Sequence, residues 1–289
     1  MPGRCPAPPR PRQESRLPEL TSGLIQVMVI SDAHRYVFVE LPRTGSTAIT
    51  RELHESYGGR NILHKHATYD EFLRSATDDQ KRYFAFSGLR NPLDDAVSLY
   101  FKLLSDHKRA YSNLKSAGWI TRLVYAFRWR QFDFARDEKS DFSRFFLRFY
   151  RWPYDNWSCL SHAKLDCILR FEHLTEDFAR AVAGFGATPV RPLPVVNKTA
   201  ERQMHFSRYY DEAAMARAKR VFAVYMVKWG YEFPAEWGMH GARPRAWDRC
   251  VHRTLNLFRR FYWKRLRPAI YARTVRERRA KRAAQRSSV

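Results

Sequence analysis

Residues 36–49 read YVFVELPRTGSTAI, an apolar strand that runs into a short glycine-containing loop and then into a helix. Such a loop aims several backbone N–H groups and the positive end of a helix dipole at one point, which suits a phosphate or sulfate. Glycine and serine also occur at ordinary capped helix starts, so the loop alone leaves that alternative open. Arg43 adds a full positive charge to the loop, and the N–H groups belong to the four residues that follow it: Thr44, Gly45, Ser46 and Thr47.

A second segment of the same kind begins about forty residues later. Residues 83–89 read as a buried strand, Arg90 stands at its carboxyl end, and Pro92 fits the first turn of a following helix. Ser98 lies two turns into that helix, on a face that can point back toward Arg90. Ligands of open parallel sheets bind beyond the carboxyl ends of the strands, so two such strand ends predict two phosphate-like groups. An ion pair of Arg90 with Asp94 or Asp95 is the structural alternative.

The wider pattern alternates strands with helices, which predicts an α/β fold with a central parallel sheet and right-handed crossovers. Residues 103–157 interrupt this alternation with a helical insertion that is dense in Trp, Phe, Tyr and Arg. The expected strands cover residues 24–30, 36–41, 61–64 and 83–89, and the expected helices cover residues 47–57 and 69–76 and the segment after Pro92.

At these motifs the chain resembles the sulfotransferases that use 3′-phosphoadenosine 5′-phosphosulfate (PAPS), and the resemblance covers about residues 24–234. The 5′-phosphosulfate loop of that family resembles residues 42–47, and its 3′-phosphate motif resembles Arg90-Asn91-Pro92 followed by Ser98. Further similar segments are DCILRFEHL at 166–174, VNKT at 196–199, YYD at 209–211 and GY at 230–231. The H-x-H segment from His64 to His66 resembles uronyl 2-O-sulfotransferases, which indicates a carbohydrate-type enzyme of a bacterial branch. The resemblance implies a P-loop-like three-layer fold.

The resemblance also implies an in-line transfer of a sulfuryl group to an acceptor hydroxyl, which needs preplaced positive charge and no metal. Arg43 and the loop N–H groups would supply that charge, and His66 is the expected general base. Glu40 is the second candidate for the base. Lys198 would close over the donor, with a solvated loop lysine as its alternative, and His66 would otherwise be a structural histidine. A saccharide is the expected acceptor.

The composition is that of one sizeable domain with a strongly basic appendage. The chain has 289 residues and a net charge of +23, and residues 241–289 hold 16 Lys or Arg against 2 Asp or Glu. We therefore expect a disordered Pro/Arg-rich leader at 1–20, a sulfotransferase domain at 21–240 and a basic helical C-terminal tail at 241–289. The four cysteines show no C-x-x-C spacing, so no metal site is indicated.

The tail carries a sequence pattern that suggests a competing class of function. Apolar side chains recur at helical spacing between arginines, as in helices that lie on anionic membranes, although the same stripe can pack on the domain. No nucleic-acid-binding signature accompanies it, and a P-loop kinase is disfavoured because the chain lacks G-x-x-x-x-G-K-[ST]. With no long apolar run and no signal-peptide core, the sequence favours a cytoplasmic protein with peripheral membrane contact. The apolar positions are Trp247, Val251, Leu255, Phe258, Tyr262 and Leu266.

Overall fold

The computed structural model describes residues 26–64, 67–106, 119–137, 139–156, 159–194, 204–238 and 243–266. These residues form an α/β fold around an open five-stranded sheet of order β3-β1-β2-β4-β5, which confirms the α/β part of the predicted fold class. The strands are β1 (Gln26–Ser31), β2 (Tyr36–Val39), β3 (Arg60–His64), β4 (Phe84–Leu89) and β5 (Cys167–Arg170).

The expected parallel sheet is only partly parallel, because β1 runs antiparallel to both of its neighbours. The remaining strands share one direction: β2 pairs in parallel with β4, and β4 with β5. The cause is the link between β1 and β2, which has only the four residues 32–35 and is closed by Arg35 at a φ of 52°. A parallel crossover needs a dozen residues or more, so a link this short forces a hairpin.

Helices cover both faces of the sheet because its apolar side chains alternate between them. Val29, Phe38 and Phe86 pack with α1 and α7 on one face, whereas Met28 and Val37 pack with α2 on the other. The first seven helices in chain order are α1 (Ser46–Ser56), α2 (Tyr69–Ser75), α3 (Pro92–Leu104), α4 (Trp119–Ala135), α5 (Phe142–Phe149), α6 (Cys159–His162) and α7 (Leu174–Gly184).

A second, aromatic core lies beyond β4 and β5 and includes the predicted helical insertion. Phe142, Phe145 and Phe146 of α5 are buried there against α3 and two later helices, and the Tyr210 hydroxyl donates to the Leu93 carbonyl over 2.9 Å. This packing fixes α3, whose first turn carries residues of the candidate site. The later helices are α8 (Glu212–Val221), α9 (Ala223–Trp229) and α10 (Ala246–Phe261), and α10 continues into a π-helical turn (Tyr262–Leu266).

Helix α10 is the described part of the expected basic tail, and it contacts the domain through polar side chains. His252 and Asp248 are buried, and His252 Nε2 lies 3.4 Å from Asp155 Oδ2. Arg259 donates to the Pro153 carbonyl over 3.0 Å, and Lys264 pairs with Asp70 at 2.8 Å. The helix therefore rests on its polar side. Of the apolar positions that the sequence singled out, Trp247, Phe258 and Leu266 are exposed, and the other three are half-buried. The leader and residues 267–289 lie outside the described ranges.

Candidate functional site

The carboxyl ends of β2, β4 and β5 meet at one edge of the sheet because these three strands are parallel. The loop at 40–45 follows β2, Arg90 follows β4, and a 3-10 turn, Phe171–His173, follows β5. The two segments that the sequence singled out are therefore neighbours in space. Strand β3 runs in the same direction as β2 and also ends at this edge, at His64, with β1 between the two.

The loop after β2 is held by its own side chains. The buried Thr44 hydroxyl donates to the Leu41 carbonyl over 3.0 Å, and the Ser46 hydroxyl donates to Glu40 Oε1 over 3.1 Å. Both hydroxyls thus form hydrogen bonds within the segment from Glu40 to Ser46, and Thr47 is exposed. Helix α1 starts after Gly45 without a side-chain cap. The amide groups of its first turn are consequently the donors that this segment can offer to an anion.

Two residues of the loop have left-handed backbone conformations, Arg43 at φ 66° and Gly45 at φ 75°. Only glycine adopts this region without strain, and the cost for Arg43 is about 1–2 kcal/mol. A Cβ atom on Gly45 would also lie 2.4 Å from Leu174 Cδ2, and one on Gly88 of β4 would lie 2.6 Å from Thr44 Cβ. The loop is therefore wedged tightly between β4 and the start of α7.

Arg90 joins the two strand ends. Its Nη1 donates to the Arg43 carbonyl over 2.9 Å and to the Ser98 hydroxyl over 3.2 Å, so Ser98 does face Arg90. Its guanidinium stacks 4.0 Å from the centre of the Phe171 ring, and its Nε donates to Asp94 Oδ2 over 2.7 Å. The ion-pair alternative is thus realised with Asp94, and both side chains are under one tenth exposed.

Arg43 makes a matching pair with Asp95, the next residue of α3. Its Nε and Nη2 donate to the two carboxylate oxygens over 2.6 and 2.8 Å, and the Tyr154 hydroxyl reaches Asp95 Oδ2 at 3.4 Å. Burial disfavours the charged form of each side chain, but the attraction and hydrogen bonding between the two favour it by more. The pKa of the Arg43 guanidinium is raised by Asp95, and the pKa of the Asp95 carboxyl is lowered by Arg43.

Glu172 secures the turn before α3. Its Oε1 accepts from the Asn91 backbone N–H over 2.7 Å, and its Oε2 accepts from the Tyr231 hydroxyl over 3.0 Å. The Asn91 side chain accepts from the Leu93 N–H and caps the helix. Sequence reasoning assigned no role to Glu172 or Tyr154, and it considered Asp95 only as an ion-pair partner of Arg90, whereas Asp95 pairs with Arg43. The F-E-H-L segment after β5 was the only signal for Glu172, and nothing in the sequence brings Tyr154 to Asp95.

The segment 153–156 links this site to α10. Tyr154 contacts Asp95 at the site, and its neighbours Pro153 and Asp155 contact Arg259 and His252 of α10. Burial raises the pKa of the Asp155 carboxyl, but hydrogen bonding from His252 and Asn256 and the charge of Lys228 together lower it by more, so it lies below its ordinary value. The docked helix and the candidate site therefore share one stretch of chain.

Two predicted site residues, His66 and Lys198, lie outside the described residues. The strand that leads to His66 ends at the edge that carries Arg43, but β1 separates β3 from β2. Two strand spacings, about 10 Å, therefore separate the ends of β3 and β2.

Among the residues that the structure covers, no group of three or more His, Cys, Asp or Glu is arranged to hold a metal ion. Within the same ranges, no helix combines the length and the hydropathy needed to cross a bilayer. Comparison of the chain with protein-family models, with curated proteins and with solved structures found no match. The functional conclusion consequently depends on the site itself.

Proposed function

We propose that the protein is a sulfotransferase that moves a sulfuryl group from PAPS to a hydroxyl of a saccharide or glycolipid. The proposal depends most on one observation, the contact of Arg90 with both the Arg43 carbonyl and the Ser98 hydroxyl. This contact unites the two motifs that resemble the donor-binding motifs of the family. The 5′-phosphosulfate would bind the loop from Arg43 to Thr47, and the 3′-phosphate would bind Arg90 and Ser98.

The two carboxylates at the start of α3 are compatible with this use of the arginines. The pair with Asp95 uses two of the five N–H donors of Arg43, so the guanidinium retains donors for an anion. Asp95 also orients Arg43 from the side of α3. The left-handed conformation of Arg43 adds support, since strained residues of this kind cluster at ligand-binding loops.

In the proposed reaction the acceptor oxygen attacks sulfur and forms a new S–O bond, while the S–O bond to the 5′-phosphate breaks. Adenosine 3′,5′-bisphosphate leaves with the bonding electrons, and Arg43 with the loop N–H groups stabilises the charge that develops on it. His66 would take the proton of the acceptor hydroxyl. Glu40, buried and bonded to Ser46, is the second candidate for that proton.

The proposal predicts that adenosine 3′,5′-bisphosphate raises the melting temperature and that ATP with magnesium does so far less, because binding to the native state alone stabilises it. Arg90→Ala should weaken bisphosphate binding by about 1.5–3 kcal/mol, the worth of a charged hydrogen bond. Calorimetry and thermal shift measure both effects. The matched control is Arg82→Ala, which removes an exposed arginine before the other end of β4. Equal stabilisation by ATP, or unchanged affinity in Arg90→Ala, would contradict the donor assignment.

The acceptor is found by incubating the protein with labelled PAPS and fractionated extracts. Uptake of label into saccharide or glycolipid supports the proposal, and uptake into protein tyrosine alone would replace the acceptor class. A protein that binds the bisphosphate but labels nothing in any fraction would be a binding protein and not a transferase.

A further inference from the structure

Helix α10 presents four large apolar side chains to solvent. The exposed fractions are 72% for Trp247, 66% for Leu257, 68% for Phe258 and 58% for Phe261. Trp247, Thr254, Phe258 and Phe261 are spaced by seven, four and three residues, so they share one side of the helix. This outward face is the reverse of ordinary helix packing, in which the apolar side contacts the core. We call the four apolar residues, Trp247, Leu257, Phe258 and Phe261, the apolar face.

A row of arginines borders the apolar face. Arg249, Arg253 and Arg260 line a groove of about 310 Å³ between α9 and α10, together with Leu257 and Val224. The surface of α10 therefore has a band of apolar side chains beside a band of guanidinium groups. A surface with apolar and anionic layers side by side fits both rows at once, and the headgroup region of an anionic bilayer has this composition.

We propose that α10 docks on an anionic membrane, with the apolar face in the outer part of the acyl layer and the arginine row among the lipid phosphates. The 16 residues of α10 give a contact line of about 24 Å along the bilayer plane. The polar contacts of His252, Arg259 and Lys264 hold the opposite side of the helix to the domain. The enzyme body would thus stay outside the bilayer.

Other occupants of this face are disfavoured by charge. Residues 267–289 contain eight Lys or Arg and one Glu, so this segment is repelled by the arginine row and attracted to the same anionic surface. A second copy of the chain would bring the same arginines against each other. Duplex nucleic acid would pair with the arginines but would leave the apolar face in water, because the bases of a duplex are already stacked on one another.

The test is flotation of the full chain with vesicles of phosphatidylcholine alone and of an equimolar mixture with phosphatidylglycerol. We expect binding to the mixed vesicles only, and weaker binding as salt is raised. Phe258→Ser with Phe261→Ser should reduce the partition coefficient about tenfold or more. Arg253→Gln with Arg260→Gln should reduce it several-fold for each charge. The matched control is Phe127→Ser with Val190→Ser, two exposed apolar residues outside α10, which should bind as the wild type does.

Melting temperature and bisphosphate binding are measured for each variant, so that loss of the fold is distinguished from loss of docking. Equal binding to both vesicle types, or full binding by the Phe258/Phe261 variant, would overturn the proposal. Binding to duplex DNA that competes with vesicles and ignores the two phenylalanines would assign the helix to nucleic acid. Docking does not depend on the proposed transferase activity, and each can fail while the other holds.

Discussion

At the scale of single residues, the pair of Arg43 and Asp95 is the most consequential contact of the site. The side chains are only 17% and 6% exposed, so each charge needs the other. Asp95→Ala should lower the free energy of unfolding by about 3 kcal/mol, because it leaves a largely buried guanidinium without its carboxylate. Urea denaturation measures this loss. Replacing both partners, with Arg43→Met and Asp95→Leu, should restore most of it, whereas a loss below about 1 kcal/mol in Asp95→Ala would contradict the buried pair.

The same pair predicts a dependence of stability on pH. The pKa of Asp95 is lowered in the folded protein, so its contribution is fully present above the ordinary aspartate pKa of about 3.9 and is lost as pH falls through the lower folded value. Below about pH 4, the free energy of unfolding should therefore fall more steeply with decreasing pH for the wild type than for Asp95→Asn. Parallel curves for the two proteins would show that Asp95 titrates alike in both states.

Substitution of His66 tests whether this residue has a catalytic or a structural role. A general base must be neutral, so turnover should rise with pH through an imidazole pKa of about 6.5. His66→Ala should lower kcat by about 10²–10⁴-fold and leave bisphosphate affinity unchanged. His64→Ala, at the end of β3, is the matched control and should keep most of the rate. Near-normal turnover of His66→Ala would instead favour Glu40.

At the scale of elements, the close approach of β4 to the loop after β2 controls the candidate site. Gly88→Ala would place a Cβ against Thr44, so we expect a loss of about 1–3 kcal/mol in stability and weaker bisphosphate binding. Gly186→Ala is the control: it costs roughly 1–2 kcal/mol through its φ of 80° but meets no atom within 4 Å. Binding should remain normal in Gly186→Ala. Equal effects of the two changes on binding would contradict the role of the contact at Gly88.

Sequence reasoning predicted the elements better than their arrangement. Period and turn chemistry locate β2, β4 and the helices after them, because these signals are local. The direction of β1 was missed although the four-residue link at 32–35 encodes it, since alternation of strands and helices elsewhere favoured a parallel sheet. The pairing of Asp95 with Arg43 and its contact with Tyr154 were missed for a different reason: these partners lie 52 and 59 residues from Asp95 in the chain, and their contacts depend on the packing of the aromatic core around α3.

At the scale of the whole molecule, the charge distribution differs between the candidate site and the C-terminal segment. The chain carries +23 overall, and its last 49 residues hold 16 of its 52 basic residues against only 2 of its 29 acidic ones. At the candidate site, by contrast, Arg43 and Arg90 are each balanced by a carboxylate from α3. A balanced site can select its anion by geometry, whereas an unbalanced tail attracts anionic surfaces over a longer range.

The segment 153–156 connects the candidate site with α10, so binding at one place can affect binding at the other. It contacts Asp95 with one residue and α10 with two others, so a displacement of the segment would be felt at both places. Coupling between two binding equilibria is reciprocal: if occupancy of α10 alters anion affinity by some factor, the anion alters affinity at α10 by the same factor. Bisphosphate titrations in the presence and absence of anionic vesicles would measure that factor directly, and a value of one would mean that the shared segment is rigid.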